Sequence, residues 1–144
     1  MDSERQERPA VERVLDAARI EKRILIVEDD LNSREGLGDS LRADGFRVET
    51  AADSWEAFVK MKQRSFDIAI IDIDLPPVHG VDMTGWDLAR ILRAYNEEIL
   101  LIMVSAQEAD LIQGEAERFR VSQFLEKPIS PTRLKAIVRT LDLR

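Results

Sequence analysis

Four segments of the sequence end in polar side chains of the kinds that carry out chemistry. Each segment follows a run rich in apolar residues, in "ILIVEDD", "DIAIIDID", "ILLIMVSA" and "QFLEKP". The side chains concerned are Glu28, Asp29, Asp30, Asp72, Asp74, Ser105 and Lys127. Carboxylates that lie close together raise the cost of ionising one another, so a cluster of them requires a positive counter-charge.

A divalent cation is the predicted counter-charge. The chain has no cysteine and one histidine, so its candidate ligands are carboxylate oxygens. Hard oxygen ligands favour Mg²⁺, with Mn²⁺ as the alternative, over zinc. We therefore expect a magnesium site among these acids.

The same side chains are suited to phosphoryl transfer. A carboxylate beside a metal ion can act as a nucleophile toward a phosphoryl group, which gives an aspartyl phosphate. The ion and the ammonium of Lys127 would neutralise the phosphoryl oxygens in the transition state. The hydroxyl of Ser105 would donate a hydrogen bond to the group once it is attached. The combination predicts a site that accepts a phosphoryl group rather than one that hydrolyses a large substrate.

The elements that carry these side chains alternate between strand and helix from Arg23 onward. Predicted strands cover 23–27, 46–51, 67–72, 99–104 and 123–127, and predicted helices cover 33–45, 54–64, 84–95, 108–119 and 130–143. Strands 1, 3 and 4 are apolar on both faces, which is typical of a parallel sheet buried between helices. Five such units predict a doubly wound α/β domain with its site at the carboxyl ends of the strands.

Helix ends are marked by residues that favour them. Ser54 is predicted to be the N-cap of the second helix. Thr84 and Asp87 have the spacing of a capping box at the start of the third helix. Ser130 is predicted to cap the last helix, with Pro131 in its first turn. These signals predict where three of the helices begin.

Composition bounds the class of protein. At 144 residues, with 44% hydrophobic and 34% charged residues, the chain is expected to be one globular domain. Its formal net charge of −7 argues against a general nucleic-acid or membrane surface. Residues 1–22 are predicted to be a partly helical N-terminal extension, and residues 23–144 the domain itself. The charged start lacks a secretory signal and the apolar runs are too short to span a membrane, so we expect a cytoplasmic location.

In this order and spacing, the four motifs resemble the receiver domain of bacterial two-component response regulators of the chemotaxis-regulator type, over residues 23–143. "ILIVEDD" resembles the acidic motif, "DIAIIDIDLP" the phosphoacceptor motif, "VSA" the switch motif and "FLEKP" the lysine motif. The resemblance implies a flavodoxin-like five-stranded sheet of order 2-1-3-4-5 with helices on both faces. It also implies signalling by a conformational switch, with no enzymatic activity beyond the chain's own phosphorylation and dephosphorylation.

A role for each site residue follows from this resemblance. Asp72 would accept the phosphoryl group from a histidine kinase or a phosphotransfer protein in a Mg²⁺-dependent reaction. The implied metal ligands are Glu28, Asp29, Asp72 and the backbone carbonyl of Asp74. Lys127 would pair with the phosphoryl group, and Ser105 and Phe124 would act as the switch on activation.

The sequence departs from the family pattern in two places. The loop containing residues 77–84 is longer than usual. Gly80 stands at the usual distance after the acceptor, but Gly85 resembles the glycine that begins the third helix, so about five residues are inserted. The usual glycine-alanine pair before the fifth strand is replaced by Arg120-Val121. The first departure lies beside the acceptor and the second beside the fourth helix, so both could affect signalling.

Three weaker expectations concern individual residues. Asp74 and Gln107 stand at positions that tune the lifetime of the phosphoryl group in the resembled family. His79, the single histidine, is expected to be an exposed loop residue. Trp55 and Trp86 are expected to pack between helix and sheet.

Two alternative functions stay open. Asp72-Ile73-Asp74 also fits the Asp-x-Asp motif of haloacid-dehalogenase-type phosphatases, in which Asp72 would be the nucleophile and Asp74 the general acid. That motif normally begins the fold, and the acids Glu28 and Asp29 would then have no role. The second alternative is a pseudo-receiver that binds partners without being phosphorylated, which would require the inserted loop to block the site.

The output of such a domain is expected at its last helices. The resemblance implies that the face formed by the fourth helix, fifth strand and fifth helix docks a partner or a second copy after phosphorylation. Arg133, Lys135 and Arg139 are candidates for that face. The sequence does not indicate the downstream target, and direct binding to nucleic acid or membrane is not expected. The chain is expected to be either a stand-alone regulator or a fragment of a longer one.

Overall fold

A computed structural model describes residues 22–106 and 113–142 of the chain, together with Ala10. The helix predicted within residues 1–22 and the lifetime position Gln107 lie outside the described residues, apart from Ala10 and Lys22. The strands are β1 Arg23–Val27, β2 Arg47–Ala51, β3 Ile68–Asp72, β4 Leu100–Ser105 and β5 Gln123–Glu126. The helices are α1 Leu31–Ala43, α2 Ser54–Gln63, α3 Gly85–Tyr95, α4 Gln113–Arg118 and α5 Pro131–Asp142.

The five strands form one parallel sheet in the order β2-β1-β3-β4-β5, which confirms the predicted topology. The chain runs outward from β1 to β2 and then returns to β3 on the other side of β1. The direction of winding therefore reverses between β1 and β3. In open α/β sheets, ligands bind at such a reversal, beyond the carboxyl ends of the strands.

Two apolar clusters cover the two faces of the sheet, because successive strand residues point to opposite faces. In β1, Leu25 and Val27 belong to the cluster that α2 and α3 cover. Ile24 and Ile26 belong to the cluster that α1 and α5 cover. β3 and β4 contribute to both clusters in the same way, which explains why their sequences are apolar throughout. This packing fixes the central strands whose ends carry the polar residues.

Two of the predicted helix starts are confirmed. Thr84 and Asp87 form a capping box, in which the Thr84 hydroxyl accepts from the Asp87 amide at 3.2 Å and the Asp87 carboxylate accepts from the Thr84 amide at 3.0 Å. The Ser130 hydroxyl accepts from the Arg133 amide at 3.3 Å, and α5 begins at Pro131. Both starts thus satisfy amide groups that a helix leaves without partners.

The predicted N-cap of α2 is wrong by one residue. The cap is Asp53, whose carboxylate accepts a hydrogen bond of 2.8 Å from the amide of Glu56. Ser54 is instead the first helical residue, and its side chain is buried. Either residue type favours an N-cap, so propensity alone could not choose between them.

The turn before β5 closes although Arg120-Val121 stand where the family pattern has a glycine-alanine pair. Arg120 adopts a φ of 55°, a left-handed conformation that favours glycine. The guanidinium of Arg93 on α3 donates hydrogen bonds to the carbonyl oxygens of Phe119 at 3.3 Å and Arg120 at 3.0 Å. These bonds hold the turn against α3, and they stabilise a backbone conformation that Arg120 would rarely adopt alone.

The longer loop folds into a small turn beside α2. Val78 and Val81 form an isolated antiparallel bridge, with Gly80 at a φ of 73° between them. His79 is exposed, as predicted. Its ring forms a T-shaped contact with the ring of Trp55, with the ring centroids 6.0 Å apart. The packing prediction for Trp55 is wrong, since 55% of this residue is exposed. Its ring contacts Phe58 of the same helix and His79 of the loop rather than the sheet.

Trp86 meets its packing expectation. It packs against the cluster that α2 and α3 cover, and its ring stacks on Phe119 at a centroid distance of 5.5 Å. The difference between the two tryptophans follows from their positions. Trp86 lies at the start of α3, next to the turn that Phe119 occupies, whereas Trp55 points toward the surface side of α2.

Gly85 allows α3 to begin directly against the end of β3. A Cβ atom at this position would lie 2.3 Å from the carbonyl oxygen of Asp72 and 2.7 Å from the Cα atom of Ile73. The amide of Gly85 donates to the Ile73 carbonyl at 2.9 Å. Gly80, in contrast, has open space around it. The glycine that begins the third helix is therefore Gly85, and the extra residues lie before it.

We predict that Gly85→Ala lowers the free energy of unfolding by about 1–3 kcal/mol, because the new methyl group overlaps backbone that cannot move without disturbing Asp72. The matched control is Gly36→Ala in α1, where an added Cβ meets no atom within 4 Å. This control should raise stability by about 0.5–1 kcal/mol, since alanine favours the helix. Urea denaturation of the three proteins measures both effects, and equal stability of Gly85→Ala and the parent chain would contradict the close contact.

Candidate functional site

The four polar motifs meet at the carboxyl edge of the sheet. Asp72 and Ser105 are the last residues of β3 and β4, and Glu28 and Lys127 directly follow β1 and β5. The Glu28 amide donates to the Ala51 carbonyl at 3.0 Å, and the Lys127 amide donates to the Ser105 carbonyl at 2.9 Å. These bonds extend the strand ladders by one residue, so the backbone of the sheet itself positions the side chains.

Lys127 lies between two buried carboxylates. Its Nζ atom is 2.6 Å from Oδ2 of Asp72, and 3.1 and 3.2 Å from the two carboxylate oxygens of Glu28. Asp72 is 2% exposed and Glu28 is 6% exposed, so neither carboxylate has much contact with water. One ammonium faces two carboxylates, which leaves a surplus of negative charge at the site.

This surplus is reflected in the titration of the site. The pKa of Glu28 is raised from 4.5 to about 7, chiefly because the carboxyl is buried; the neighbouring Asp72 also raises this pKa, and Lys127 offsets only part of the rise. Partial burial acts to lower the pKa of Lys127, but its hydrogen bonds to Asp72 and Glu28 outweigh that effect and raise it. The ammonium therefore stays charged near neutral pH, while the buried Glu28 carboxyl resists ionisation.

Three carboxylates at this edge suit a divalent cation. Oxygen atoms of Glu28, Asp29 and Asp72 all lie within 4.8 Å of one another, and Asp29 is exposed to solvent. Oxygen donors of this kind are the ligands that Mg²⁺ prefers. Bound there, an ion would balance the negative charge that Lys127 leaves uncompensated, so the donor set fits the predicted metal.

Arg34, which the sequence analysis did not single out, fixes the loop that carries the first two acids. Its Nη1 atom donates to the carbonyl oxygens of Glu28 at 2.9 Å and Asp29 at 3.2 Å. Asp30 caps α1 by accepting from the Ser33 amide at 2.8 Å, and this bond lowers the Asp30 pKa. The sequence offered one signal for Arg34, because it is a cationic residue in the first turn of the helix that follows an acidic pair.

Asp74 contacts both Asp72 and Ser105. Its backbone amide donates to Oδ1 of Asp72 at 2.9 Å. Its own carboxylate accepts a hydrogen bond of 3.1 Å from the hydroxyl of Ser105. Ser105 is fully buried, whereas Asp74 reaches it from the exposed side. The sequence placed Asp74 and Ser105 in the same site but did not predict this bond.

The remaining predicted residues lie outside the cluster of Glu28, Asp29, Asp72 and Lys127. Phe124 on β5 is partly buried and packs against the apolar cluster that α2 and α3 cover. Arg139, a candidate for the docking face, instead forms an ion pair with Asp44 at the end of α1, with its Nε atom 2.6 Å from the carboxylate. Arg133 is exposed, and Lys135 is half-buried.

A cavity of about 330 Å³ opens beside Lys127. It is lined by Ile26, Val27, Glu28, Ser33, Leu37, Ile70, Asp72, Val104, Lys127, Pro128 and Ile129. Apolar side chains thus form one wall of the charged site.

Within residues 22–106 and 113–142, no helix has both the length and the apolar character needed to cross a membrane.

Comparison with known proteins finds relatives that are similar in sequence. The chain is 31% identical over 119 residues to the probable transcriptional regulatory protein SilR of Salmonella typhimurium, an alignment that covers 83% of this chain and 50% of SilR. It is 30% identical over 119 residues to the transcriptional regulatory protein CusR of Escherichia coli, with the same coverage. The chain thus spans about half the length of the curated relatives it matches.

Solved structures agree with this comparison. A CheY-like receiver domain protein from Methanospirillum hungatei superimposes with a TM-score of 0.75 at 27% identity, covering 84% of this chain and 93% of that one. The chemotaxis protein CheY4 of Vibrio cholerae superimposes with a TM-score of 0.73 at 26% identity, covering 83% and 97%. A family model described as the response regulator receiver domain matches residues 24–139. The chain therefore belongs to the response regulator receiver domain family.

Proposed function

We propose that this receiver domain accepts a phosphoryl group on Asp72 from the phosphohistidine of a histidine kinase or phosphotransfer protein. The observation that carries the proposal is the buried Asp72 carboxylate, 2.6 Å from Nζ of Lys127 and grouped with the carboxylates of Glu28 and Asp29. Such an arrangement provides a nucleophile, a fixed cation and a set of oxygen ligands in one place. Receiver domains are signalling domains rather than classical enzymes, so the only turnover proposed is that of the chain's own phosphoryl group.

The transfer forms one bond and breaks one. A carboxylate oxygen of Asp72 attacks the phosphorus atom, and the new O–P bond forms as the bond between phosphorus and the donor nitrogen breaks. The electron pair of the broken bond stays with the imidazole of the donor, which is released as neutral histidine after taking up a proton. Lys127, already beside Asp72, would then pair with an oxygen of the attached phosphoryl group.

Glu28, Asp29 and Asp72, with the backbone carbonyl of Asp74, are the residues that would hold Mg²⁺, or Mn²⁺ in its place. When bound, the ion supplies positive charge to the phosphoryl oxygens as negative charge develops on them. The part played by Arg34 is to fix the loop carrying Glu28 and Asp29 through the two backbone carbonyls. Orientation of ligands by such neighbouring groups strengthens metal binding in proteins.

Signalling after transfer is proposed to use Ser105 and Phe124. The Ser105 hydroxyl would turn toward the phosphoryl group, and Phe124, which is in register with Met103 of β4, would repack. Downstream, we propose contact with a protein partner or a second copy through α4, β5 and α5. The part of this chain that aligns spans about half the length of the relatives named as transcriptional regulators, so DNA binding is not proposed for this domain.

Neither alternative function gains support from these findings. A phosphatase of the haloacid-dehalogenase type would need Asp74 as a general acid, but the Asp74 carboxylate accepts a hydrogen bond from Ser105. An unphosphorylated receiver would need the loop before α3 to block the site. That loop instead packs beside α2, where Val78, His79 and Val81 line an apolar groove with Trp55 and Phe58.

We predict that acetyl phosphate and Mg²⁺ add one phosphoryl group to the parent chain and none to Asp72→Asn. Asp67→Asn is the matched control, because Asp67 lies at the opposite end of β3, where it accepts from the Arg23 amide. Intact-mass spectrometry at several times after mixing measures the modification. An unmodified parent chain, or an Asp72→Asn protein that gains the same mass, would overturn the proposed mechanism.

The raised Glu28 pKa leads to a pH prediction. Protons compete with Mg²⁺ for this carboxylate, so the apparent affinity for Mg²⁺ should fall as the pH drops below the Glu28 pKa of about 7. Displacement of one proton per ion gives a slope of up to about tenfold per pH unit. Without the ion, the free energy of unfolding should fall as the pH rises from 4.5 through about 7. The reason is that ionising Glu28 costs more in the folded protein than in the unfolded chain.

Titration calorimetry with Mg²⁺ at a series of pH values measures the first effect. Glu28→Gln removes the titrating group, so its weaker binding should show little dependence on pH across the same range. A parent chain whose affinity is constant across that range would contradict the competition between the proton and the ion.

A further inference from the structure

The hydroxyl of Ser105 is buried and already has a charged acceptor. Ser105 is the last residue of β4 and is fully buried, and its Oγ atom donates to Oδ2 of Asp74 at 3.1 Å. A buried hydroxyl is costly to leave without a partner, and an ionised acceptor makes a stronger hydrogen bond than a neutral one. The bond to Asp74 therefore favours one orientation of the Ser105 side chain.

Asp74 also contacts the acceptor residue. Its amide donates to Oδ1 of Asp72 at 2.9 Å, while its carboxylate accepts from Ser105. The carbonyl oxygen of Ser105 in turn accepts from the amide of Lys127 at 2.9 Å, and Nζ of Lys127 contacts Asp72. Asp74 thus links the acceptor Asp72 to the Ser105 hydroxyl. Ser105 is also connected to Lys127 through its backbone carbonyl.

We propose that Asp74 is a positioning residue that holds the Ser105 hydroxyl in the resting orientation, so that a phosphoryl group on Asp72 must compete with it. The inference rests on the proposed function of Asp72 as acceptor. A serine hydroxyl has one proton to donate. It cannot donate that proton fully to the Asp74 carboxylate and to a phosphoryl oxygen at once, so activation requires one bond to break as the other forms.

The competition sets how readily the domain switches. The stronger the bond to Asp74, the more the resting state is favoured, and the weaker the response to a given degree of phosphorylation. The Asp74 carboxylate also repels a phosphoryl group through its charge alone. A test must therefore separate the loss of the hydrogen bond from the loss of the negative charge.

Beryllofluoride with Mg²⁺ serves as the probe, because it mimics a phosphoryl group on an aspartate without being hydrolysed. Its affinity is measured by calorimetry for the parent chain, Asp74→Ala, Ser105→Ala and the double variant. In the Ser105 background we expect Asp74→Ala to bind about tenfold more tightly, as loss of a charge-assisted hydrogen bond allows. In the Ser105→Ala background the same change should have a much smaller effect, which a double-mutant cycle reports as coupling.

Two further variants separate charge from hydrogen bonding. Asp74→Asn removes the charge but retains an oxygen acceptor, so its affinity should lie between those of the parent chain and Asp74→Ala. Asp82→Ala removes an equal charge from the exposed loop before α3 and should leave the affinity unchanged. Thermal unfolding of each variant checks that the fold is retained.

A spectroscopic measurement without any probe completes the test. In nitrogen-15 NMR spectra of the resting protein, Asp74→Ala should move the Ser105 and Lys127 amide signals toward their beryllofluoride-bound positions. An equal effect of Asp74→Ala in both Ser105 backgrounds, or resting spectra unchanged at these amides, would overturn the inference. Failure of the parent chain to bind beryllofluoride or take up a phosphoryl group would instead overturn the proposed function, and this inference with it.

Discussion

The arrangement at the carboxyl edge of the sheet depends on one partly buried ammonium placed between two buried carboxylates. Lys127 compensates only one of the two negative charges on Asp72 and Glu28, while Asp29 adds a third nearby. Removal of a partner from a buried ion pair leaves an uncompensated charge and is strongly destabilising. The site thus has a stable core and an unsatisfied demand for positive charge, which is the property that a cation-dependent phosphoryl acceptor needs.

The remainder of the fold positions these few groups. Alternating apolar residues fix β1, β3 and β4 between two layers of helices, and the strand ladders extend to Glu28 and Lys127. Gly85 lets α3 begin against the backbone of Asp72, so the longer loop can be accommodated away from that residue. Insertion is therefore tolerated where the loop meets α2, and not at the contact between helix and strand.

The hydrogen bonds around Asp74 add a second constraint, which concerns orientation rather than charge. Its amide donates to the Asp72 carboxylate, and its own carboxylate accepts from the Ser105 hydroxyl. Because Asp74 is exposed and Ser105 is buried, a surface residue here hydrogen-bonds to a group inside the domain. The extra acid in "DIDLP" is in this view a component of the resting state as well as a neighbour of the acceptor.

The sequence by itself determined the class of fold, the order of its elements and the motifs at the strand ends, because apolar periodicity and turn residues are local properties. It was wrong about the cap of α2, where Asp53 and Ser54 have similar capping propensity. It was also wrong about Trp55, which is exposed and contacts Phe58 and His79 rather than the sheet. Only the tertiary structure decided that Arg34 fixes the acidic loop, that Arg93 supports Arg120 and that Asp74 binds Ser105. Each of these contacts joins separate elements through a side chain, and its geometry exists only once the strands and helices have packed.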